Sequence, residues 1–444
     1  MDTLIQIAQL VLMLSILVIL HEFGHYITAK MFKVRVEKFY LFMDWGFSLI
    51  KKKIGETEWG IGWLPLGGYV KLSGMIDESM DTEQMKSEPQ PWEFRAKPAW
   101  QRLIIMMGGI IVNILLAWFI FTILYATVGK QYMSTDAVQE KGLAFGEVGK
   151  KAGFKDGDRI VSVDGKYQPR FDRMLLDVLL GENVTVQRGA EKVNIHLTDE
   201  NIKAILEKEG KDFIHPYTNV SVIDSLSPKG TAKASGLKVG DSLVGVEGKP
   251  LRYLSQVSEE AYAHRKGKLT LNIKRGTTPM NITMPVDSTA TLGIVQKMPH
   301  SKDFEVSEKF SVFQAIPAAV EESYSLIVYN IKQFKLILRP STGAYTQVTS
   351  VVGIASKMPT TWDWVFFWKF TALFSIGLAF MNILPIPGLD GGHAIFTIAE
   401  MITGKKLSDK AAGVVQTVGM VILLSLMVLV MGKDIWALVS KKFF

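Results

Sequence analysis

Two histidines and a glutamate stand at a spacing that suits a metal ion and an activated water molecule. They lie in His21-Glu22-Phe23-Gly24-His25, directly after an uncharged apolar segment. In a helix, residues i and i+4 share a face, so both imidazoles can reach one metal while Glu22 projects toward a bound water. With 7 histidines in 444 residues, about 0.005 matches to H-E-x-x-H are expected by chance. The alternative, a histidine pair that only caps a membrane helix, is disfavoured because such groups are costly beside an apolar segment.

A zinc site of the hydrolytic type needs a third protein ligand, since such sites hold three protein ligands and leave one position open for water. Residues 382–393 read NILPIPGLDGGH, and Asp390 is the only carboxylate there. Pro385 and Pro387 must break a helix, and the freed backbone is tolerated at membrane depth only if it is buried in protein or lines a cavity. Asp390 is therefore the favoured third ligand. His393, three residues beyond Asp390, is a possible fourth ligand, although a fourth protein ligand would close the water position.

The composition excludes several other kinds of chemistry. The chain contains no cysteine, which rules out disulfides, thiolate nucleophiles, iron–sulfur clusters and Cys-ligated zinc. Lys and Arg number 50 against 43 Asp and Glu, a net charge of +7. This is a mild imbalance without a basic and aromatic stripe, so nucleic-acid binding is not expected. The mean hydropathy of +0.19 fits poorly with a fully soluble protein.

Four segments are apolar and long enough to cross a bilayer, which takes about 20 residues. They are residues 3–20, 103–128, 370–389 and 411–432. The first lacks the basic start and the cleavage site of a signal peptide, so we expect it to be retained. Lys and Arg are concentrated between the first two segments, whereas Asp2 is the only charge before the first. The positive-inside rule therefore predicts a multi-pass cell-membrane protein with an extracytoplasmic N-terminus and a site toward the cytoplasmic side.

The region after the second segment contains an internal repeat. Residues 152–166 read AGFKDGDRIVSVDGK, and residues 235–249 read SGLKVGDSLVGVEGK. Each copy places Gly-Asp before an alternating apolar strand and a tight turn, which predicts two copies of one small domain. The run resembles the signature of PDZ domains in bacterial envelope proteases, and the resemblance implies a partly open β-barrel that receives an extended peptide or a chain end. The predicted PDZ domains cover residues 131–212 and 213–296, both extracytoplasmic.

These domains separate two membrane parts, residues 1–130 and 364–444, and residues 297–363 form a connector. Within the connector, apolar residues recur at intervals of three to four from Val320 to Leu338, with charges elsewhere on the wheel. This pattern predicts an amphipathic helix with too many charges to span a membrane. Two interpretations stay open: the helix lies against the membrane surface or the PDZ pair, or it is an ordinary packed helix.

Taken together, HEFGH in the first span and N-x-x-P-x-P-x-L-D-G in the third resemble the site-2 protease family of intramembrane zinc metalloproteases. The two PDZ copies between spans two and three are similar to the type that regulates sigma-E. The resemblance implies zinc held by His21, His25 and Asp390, with Glu22 as the catalytic general base. It also implies that Asn382 binds the substrate backbone near the cleavage point.

Two further segments are similar to the family pattern. Residues 109–113 match G-x-x-x-N, which makes Asn113 a candidate substrate-binding residue, although close helix packing explains the glycine equally well. Residues 59–72 are similar to a membrane-associated β-loop, and their alternation predicts a hairpin around Gly67 and Gly68, with Tyr69 beside them. Its exposed edge could pair with an unwound substrate. One departure is Ser350-Val351-Val352-Gly353-Ile354, where many members carry G-P-x-G-I.

The sequence thus predicts a polytopic α-helical membrane protein with four spans, a β-loop and two PDZ domains. The expected function is zinc-dependent hydrolysis of peptide bonds in or near the membrane segments of single-span proteins, such as anti-sigma factors or signal-peptide remnants. The PDZ pair would act as a size filter that admits substrates already trimmed by another protease. The competing hypothesis is a non-catalytic membrane scaffold whose PDZ domains bind chain ends, but a scaffold has no reason to combine His21, Glu22, His25 and Asp390.

Overall fold

A computed structural model describes residues 2–65, 67–75, 88–208, 210, 212–227, 230–297, 304–406 and 408–443. Two compact units make up the chain. The helical unit contains Met1–Gly129, Lys309–Lys332 and Val348–Phe444, and the β-rich unit contains Lys130–Glu308 and Gln333–Gln347.

Within the described residues, the helices are numbered in chain order. They are α1 (Asp2–Met31), α2 (Ala99–Thr127), α3 (Thr135–Val138), α4 (Glu147–Lys151), α5 (Phe171–Leu180), α6 (Asp199–Glu207), α7 (Gln256–Ala263), α8 (Val312–Ile337), α9 (Val351–Ala355), α10 (Trp364–Ile383), α11 (Asp390–Thr403) and α12 (Asp409–Phe443).

The strands of the same described residues are numbered likewise. They are β1 (Val36–Leu41), β2 (Met43–Ile54), β3 (Thr57–Leu64), β4 (Tyr69–Leu72), β5 (Lys130–Met133), β6 (Leu143–Phe145), β7 (Arg159–Val163), β8 (Asn183–Arg188), β9 (Glu191–His196), β10 (Ile214–Pro216), β11 (Ser221–Leu226), β12 (Ser242–Val246), β13 (Lys249–Pro250), β14 (Lys268–Arg275), β15 (Thr278–Pro285), β16 (Ile294–Lys297) and β17 (Glu305–Glu308).

Four helices in the described part of the chain are long and apolar enough to cross a membrane. They cover Thr3–Met31, Ala99–Thr127, Trp364–Ile383 and Ala411–Ala437. The four predicted spans are therefore confirmed by length and composition. The third helix ends at Ile383 rather than at residue 389, because Pro385 and Pro387 cannot continue a helix. It also begins earlier than predicted, since the Asp363 carboxylate accepts hydrogen bonds from the Val365 and Phe366 amides and caps the first turn.

The connector helix packs against membrane helices. Ala315, Ala319 and Leu326 of α8 lie in one apolar cluster with side chains of α2 and α10, including Ala117 and Ile376. Small side chains on α8 allow this close approach. The structure therefore favours the interpretation of an ordinary packed helix, at least for this part of α8.

The four-stranded sheet of the helical unit corrects the predicted hairpin. Its strand order is β2-β3-β1-β4. β1 pairs in parallel with β3 and antiparallel with β4, so it lies between the two strands that were expected to pair around Gly67 and Gly68. The hairpin prediction was wrong because a period of two identifies strands but not their partners. Leu66, in the same segment, lies outside the described residues.

The β-rich unit contains two halves with the same order of main elements. Residues 143–216 run through β6, α4, β7, α5, β8, β9, α6 and β10, and residues 221–297 run through β11, β12, β13, α7, β14, β15 and β16. Without α4, α6 and β13, which each occur in one half, both halves contain two strands, a helix and three strands in that order. In each half the last strand pairs antiparallel with the first, β10 with β6 and β16 with β11. β5 and β17 pair antiparallel, with Met133 opposite Glu305, so the main segment of this unit, Lys130–Glu308, begins and ends on adjacent strands.

The aspartate of the repeated Gly-Asp motif forms the same kind of ion pair with an arginine in both halves. Asp158 is almost fully buried, and the Arg188 guanidinium donates to both of its carboxylate oxygens at 2.8 and 2.7 Å. Asp241 and Arg275 repeat these contacts at 2.8 and 2.7 Å. Each arginine also donates to a backbone carbonyl, that of Gly153 or Gly236, at 2.9 Å. The carboxylate therefore joins the strand after the turn to the hairpin that follows the helix.

We predict that Asp158→Ala destabilises the first half by about 3 kcal/mol, because it removes a buried, bidentate charged pair. The matched control is Asp172→Asn, whose carboxylate is exposed and 3.5 Å from Arg170, and which should change stability by no more than about 0.5 kcal/mol. Hydrogen exchange of β7 and β8 in the full-length protein measures both effects. Equal protection in the two variants would contradict this role of Asp158.

Candidate metal centre

Three ligand atoms converge between α1 and the start of α11. The Asp390 Oδ2 atom lies 3.3 Å from His21 Nε2 and 3.2 Å from His25 Nε2, and the two Nε2 atoms are 3.4 Å apart. Ligands about 2.0–2.1 Å from a tetrahedral zinc ion are about 3.3–3.4 Å from one another. Among the described residues, these three are the group of His, Asp and Glu side chains that could hold a metal ion.

The surroundings of the Asp390 carboxylate fit a bound cation. Asp390 Oδ2 is buried and has no hydrogen-bond partner in the described part of the chain. A buried carboxylate oxygen is costly unless a cation or a donor compensates it. The donor set of two imidazoles and one carboxylate therefore fits zinc, with one tetrahedral position left for water.

The second ring nitrogen of each histidine, Nδ1, contacts a polar group of α2. His25 Nδ1 lies 2.9 Å from the Ile105 carbonyl oxygen, which can only accept a hydrogen bond. This fixes the proton on Nδ1 and leaves Nε2 free to bind a metal ion. His21 Nδ1 lies 3.1 Å from the Asn113 amide nitrogen, and the buried Asn113 Oδ1 has no hydrogen-bond partner among the described residues. Rotating the Asn113 amide by 180° about its Cβ–Cγ bond exchanges its oxygen and nitrogen, so that Oδ1 accepts a hydrogen bond from a protonated His21 Nδ1. His21 Nε2 then carries no proton and can bind a metal ion as well.

Glycines allow α2 to approach the two imidazoles closely. A Cβ atom on Gly109 would lie 2.5 Å from His25 Nε2 and 2.5 Å from His21 Cε1. One residue earlier in each helix, Gly24 and Gly108 face each other, and a Cβ on Gly24 would lie 2.3 Å from the Gly108 carbonyl oxygen. The glycine of H-E-F-G-H thus belongs to the helix crossing. Gly109 therefore fits the close-packing interpretation of G-x-x-x-N, and the Asn113 side chain contacts His21.

The loop before α11 is tightly folded, which sets the position of Asp390. Gly388 has a left-handed φ of 95°, and its amide donates to Gln416 Oε1 of α12 at 2.5 Å. A Cβ atom on Gly391 would lie 2.1 Å from the Leu384 carbonyl oxygen. Asp390 begins α11, where the positive end of the helix dipole favours a carboxylate. The far end of α11 is held by an ion pair between Glu400 and Arg102 of α2, at 2.5 Å.

The other predicted site residues fall into two groups. Asn382 Nδ2 lies 3.2 Å from His21 Nε2, so this amide adjoins the ligand cluster. A Cβ on Gly68 would lie 3.6 Å from Glu22 Cγ, which brings the residues before β4 beside the glutamate. In contrast, Tyr69 is buried and donates to Asp44 at 2.9 Å within the sheet. His393 is not among the clustered ligand atoms.

Sequence reasoning missed Gln416 and the pair of Arg102 and Glu400. A signal for Gln416 was present, because a single glutamine in an otherwise apolar span is rarely without a partner. The ion pair joins residues far apart in sequence, and neither residue stands in a recognisable pattern.

The amino-acid sequence of this chain is similar to those of known proteins. The family model "Peptidase family M50" matches residues 9–426. A Vibrio cholerae protein described as "Putative zinc metalloprotease" is 29% identical over 98% of this chain and 99% of its own. The "Regulator of sigma-E protease RseP" of Escherichia coli K12 is 26% identical over 96% of this chain and 98% of its own. "Protease RseP" of Yersinia pestis is 26% identical over 98% and 99%.

We predict that Gly109→Ala lowers the metal content of the purified protein at least about tenfold, because the new methyl group would overlap His25 Nε2. The matched control is Gly377→Ala in α10, where a Cβ would meet nothing within 4 Å. That substitution should keep the metal and stabilise the helix by about 0.5–1 kcal/mol. Mass-spectrometric metal analysis compares the two. A full metal content in Gly109→Ala would show that α2 does not limit the site.

Proposed function

The chain belongs to peptidase family M50, and from this membership we propose which residues carry out the reaction and on which substrates. It is a multi-pass membrane peptidase, as the sequence predicted, and zinc is the ion named in the descriptions of relatives. We assign the zinc ligands to His21, His25 and Asp390. The observation that carries this assignment is the mutual distance of 3.2–3.4 Å between their ligand atoms.

Glu22 is proposed as the general base. Zinc in this site would supply Lewis acidity, which polarises a peptide carbonyl and acidifies water. Glu22 lies on α1 between the two proposed ligands His21 and His25, so its carboxylate is placed to take a proton from water and return it to the leaving amine. Asn382 is proposed to donate a hydrogen bond to the substrate carbonyl, since its amide lies 3.2 Å from the ligand atom of His21.

Asn113 is proposed to act differently from the sequence interpretation. Its amide faces Nδ1 of His21, on the opposite side of the ring from the ligand atom, and the side chain is fully buried. It would therefore orient His21 and set its tautomer rather than contact the substrate. We class it as a positioning residue.

The proposed substrates are single-span membrane proteins, cleaved in or near the span. A membrane helix pairs all its backbone groups internally, so the substrate must unwind before attack and its freed amides need partners. β4 is at an edge of the four-stranded sheet, and Gly68 just before it adjoins Glu22. An extended substrate segment could pair with this edge and present a peptide bond to the centre.

The β-rich unit is proposed to consist of two PDZ domains that filter substrates by size. The repeated Gly-Asp motif and the common order of elements in its two halves support this assignment. We further propose that the N-terminus and these domains are extracytoplasmic, that the metal centre is toward the cytoplasmic side, and that substrates arrive already trimmed. The scaffold hypothesis is not favoured, because the chain belongs to a peptidase family.

We predict that Glu22→Gln keeps zinc but lowers turnover at least about 100-fold, the lower range for a lost general base. Substrate should stay bound uncleaved, because the binding surfaces are unchanged. Asp390→Asn should lose both zinc and turnover, since an amide is a poor replacement for a carboxylate ligand. Zinc content and cleavage of a single-span substrate in detergent measure the two variants. Equal cleavage by the wild type and Glu22→Gln would remove Glu22 from the reaction and reopen the scaffold hypothesis.

We also predict that removing residues 135–303 lets the enzyme cleave substrates that still carry a folded ectodomain. The deletion keeps β5 and β17, where Met133 lies opposite Glu305, so a short glycine linker can close the gap. Cleavage of trimmed substrates should be unchanged. The matched control inserts an unrelated folded domain of similar size, which should restore exclusion if bulk alone matters. Loss of cleavage on both substrates, with zinc retained, would instead indicate that the domains activate the enzyme.

A further inference from the structure

Three contacts join α1, α2 and α10 in a closed ring around His21. The His21 Nδ1 atom lies 3.1 Å from the Asn113 amide nitrogen of α2. The backbone carbonyl oxygen of Asn113 accepts a hydrogen bond from the Ser375 hydroxyl of α10 at 2.7 Å. Further along α10, Asn382 Nδ2 lies 3.2 Å from His21 Nε2. Asn113 therefore contacts α1 with its side chain and α10 with its backbone, and Ser375 is the member of the ring to which the proposed reaction gives no role.

Ser375 differs from other hydroxyl residues of the long helices in the direction of its hydrogen bond. A serine or threonine inside a helix can donate to the carbonyl oxygen four residues earlier. This pattern is followed by Ser15, Ser323, Thr371, Thr397, Thr417 and Ser425. The Ser375 hydroxyl donates instead to a carbonyl of another helix. Its hydrogen bond therefore fixes the position of α10 relative to α2, which a bond inside α10 could not do.

Ser375 and Asn382 lie on one face of α10. They are seven residues apart, which is close to two full turns of a helix. Both side chains are buried, and so are Ala372 and Ala379 on the same face. Small residues of this kind allow close approach between membrane helices. A rotation or a shift of α10 would therefore move the Asn382 amide relative to His21.

We propose that Ser375 is a positioning residue that holds the Asn382 amide beside the metal centre. This inference rests on the function proposed above, in which Asn382 donates a hydrogen bond to the substrate carbonyl. The Ser375 hydroxyl sets the register of α10 against α2, and the Asn113 side chain connects α2 to His21. An amide that must meet a reacting carbonyl needs accurate placement, since a displacement of about 1 Å can cost about 100-fold in rate.

A role in stability alone fits this geometry less well. Hydrogen bonds between membrane helices contribute modestly to stability, because the separated helices find other partners for the same groups. The Ser375 hydroxyl would be satisfied equally by the carbonyl of Thr371, one turn earlier. The contact between helices adds a fixed register, and the group whose position depends on that register is Asn382.

The first measurement reports the position of the Asn382 amide without any substrate. Nuclear magnetic resonance of the full-length protein with isotope-labelled asparagine detects the side-chain amides, and the Asn382 signal is assigned by its loss in Asn382→Ala. We expect Ser375→Ala to shift this signal and to keep the zinc content, because Asn113 still contacts His21. The matched control is Thr371→Val, which removes a buried hydroxyl whose bond stays within α10. It should leave the Asn382 signal in place.

The second measurement is a double-mutant cycle on cleavage of a model single-span protein. Ser375→Ala should lower kcat at least about tenfold and change KM less than about twofold, because the other substrate contacts are unaltered. In the Asn382→Ala background, Ser375→Ala should have no further effect, since two residues that act through one contact are not additive. Thr371→Val should keep the turnover of the wild type.

Three results would overturn the proposal. They are an unmoved Asn382 signal in Ser375→Ala, an equal fall in kcat with and without Asn382, and loss of zinc in Ser375→Ala, which would show that Ser375 acts on His21 instead. A different result separates this inference from the proposed function. If Asn382→Ala keeps full turnover while Ser375→Ala shifts the amide signal, Asn382 has no part in the reaction, and its placement by Ser375 is supported.

Discussion

Two imidazole nitrogens and one carboxylate oxygen lie within 3.4 Å of one another among helices apolar enough to cross a bilayer. Bringing these polar atoms together without a cation is unfavourable in such surroundings, because each loses its hydration and Asp390 Oδ2 has no hydrogen-bond donor within the part of the chain that the structure describes. Zinc removes this cost only if the ligands are already placed to receive it. Much of the helical unit is arranged to keep that geometry: the Ile105 carbonyl and the Asn113 amide orient the rings, and α12 holds the loop before Asp390.

The same arrangement explains why the unit uses so many glycines. α2 reaches the imidazoles because Gly109 has no side chain, and α1 crosses α2 where Gly24 meets Gly108. Close crossings of this kind are stable in lipid, where helices associate by packing rather than by the hydrophobic effect. The loop between α10 and α11 must leave the helical conformation at membrane depth, and contacts such as that from the Gly388 amide to Gln416 satisfy its backbone. Rigidity at the centre is therefore obtained by backbone contacts as much as by side chains.

Features of the fold and the site could be predicted from the sequence where they depend on residues close together in the chain, and less well where they depend on residues far apart. The spacing of His21 and His25 is local, and a helix puts them on one face by geometry alone. The four spans follow from apolar length, and Asp390 was identified because few carboxylates border a span. The position of β1 between β3 and β4 could not be predicted, since the pairing of strands is not encoded in their alternation. The Asn113 contact with His21 and the pair of Arg102 and Glu400 were also beyond reach, because each joins helices whose rotation is set by packing. Arg188 and Arg275 were missed as well, because each lies on a strand 30 or 34 residues beyond the aspartate that it contacts.

X-ray absorption at the zinc edge of the full-length wild-type protein tests the central claim most directly. The account predicts one zinc ion with two imidazole nitrogens and one carboxylate oxygen at about 2.0–2.2 Å, and a further oxygen from water. The imidazole count is read from the outer-shell scattering of the rings. Three imidazoles, which would bring His393 into the site in place of Asp390 or of water, would contradict the ligand set and the open position that the proposed reaction requires.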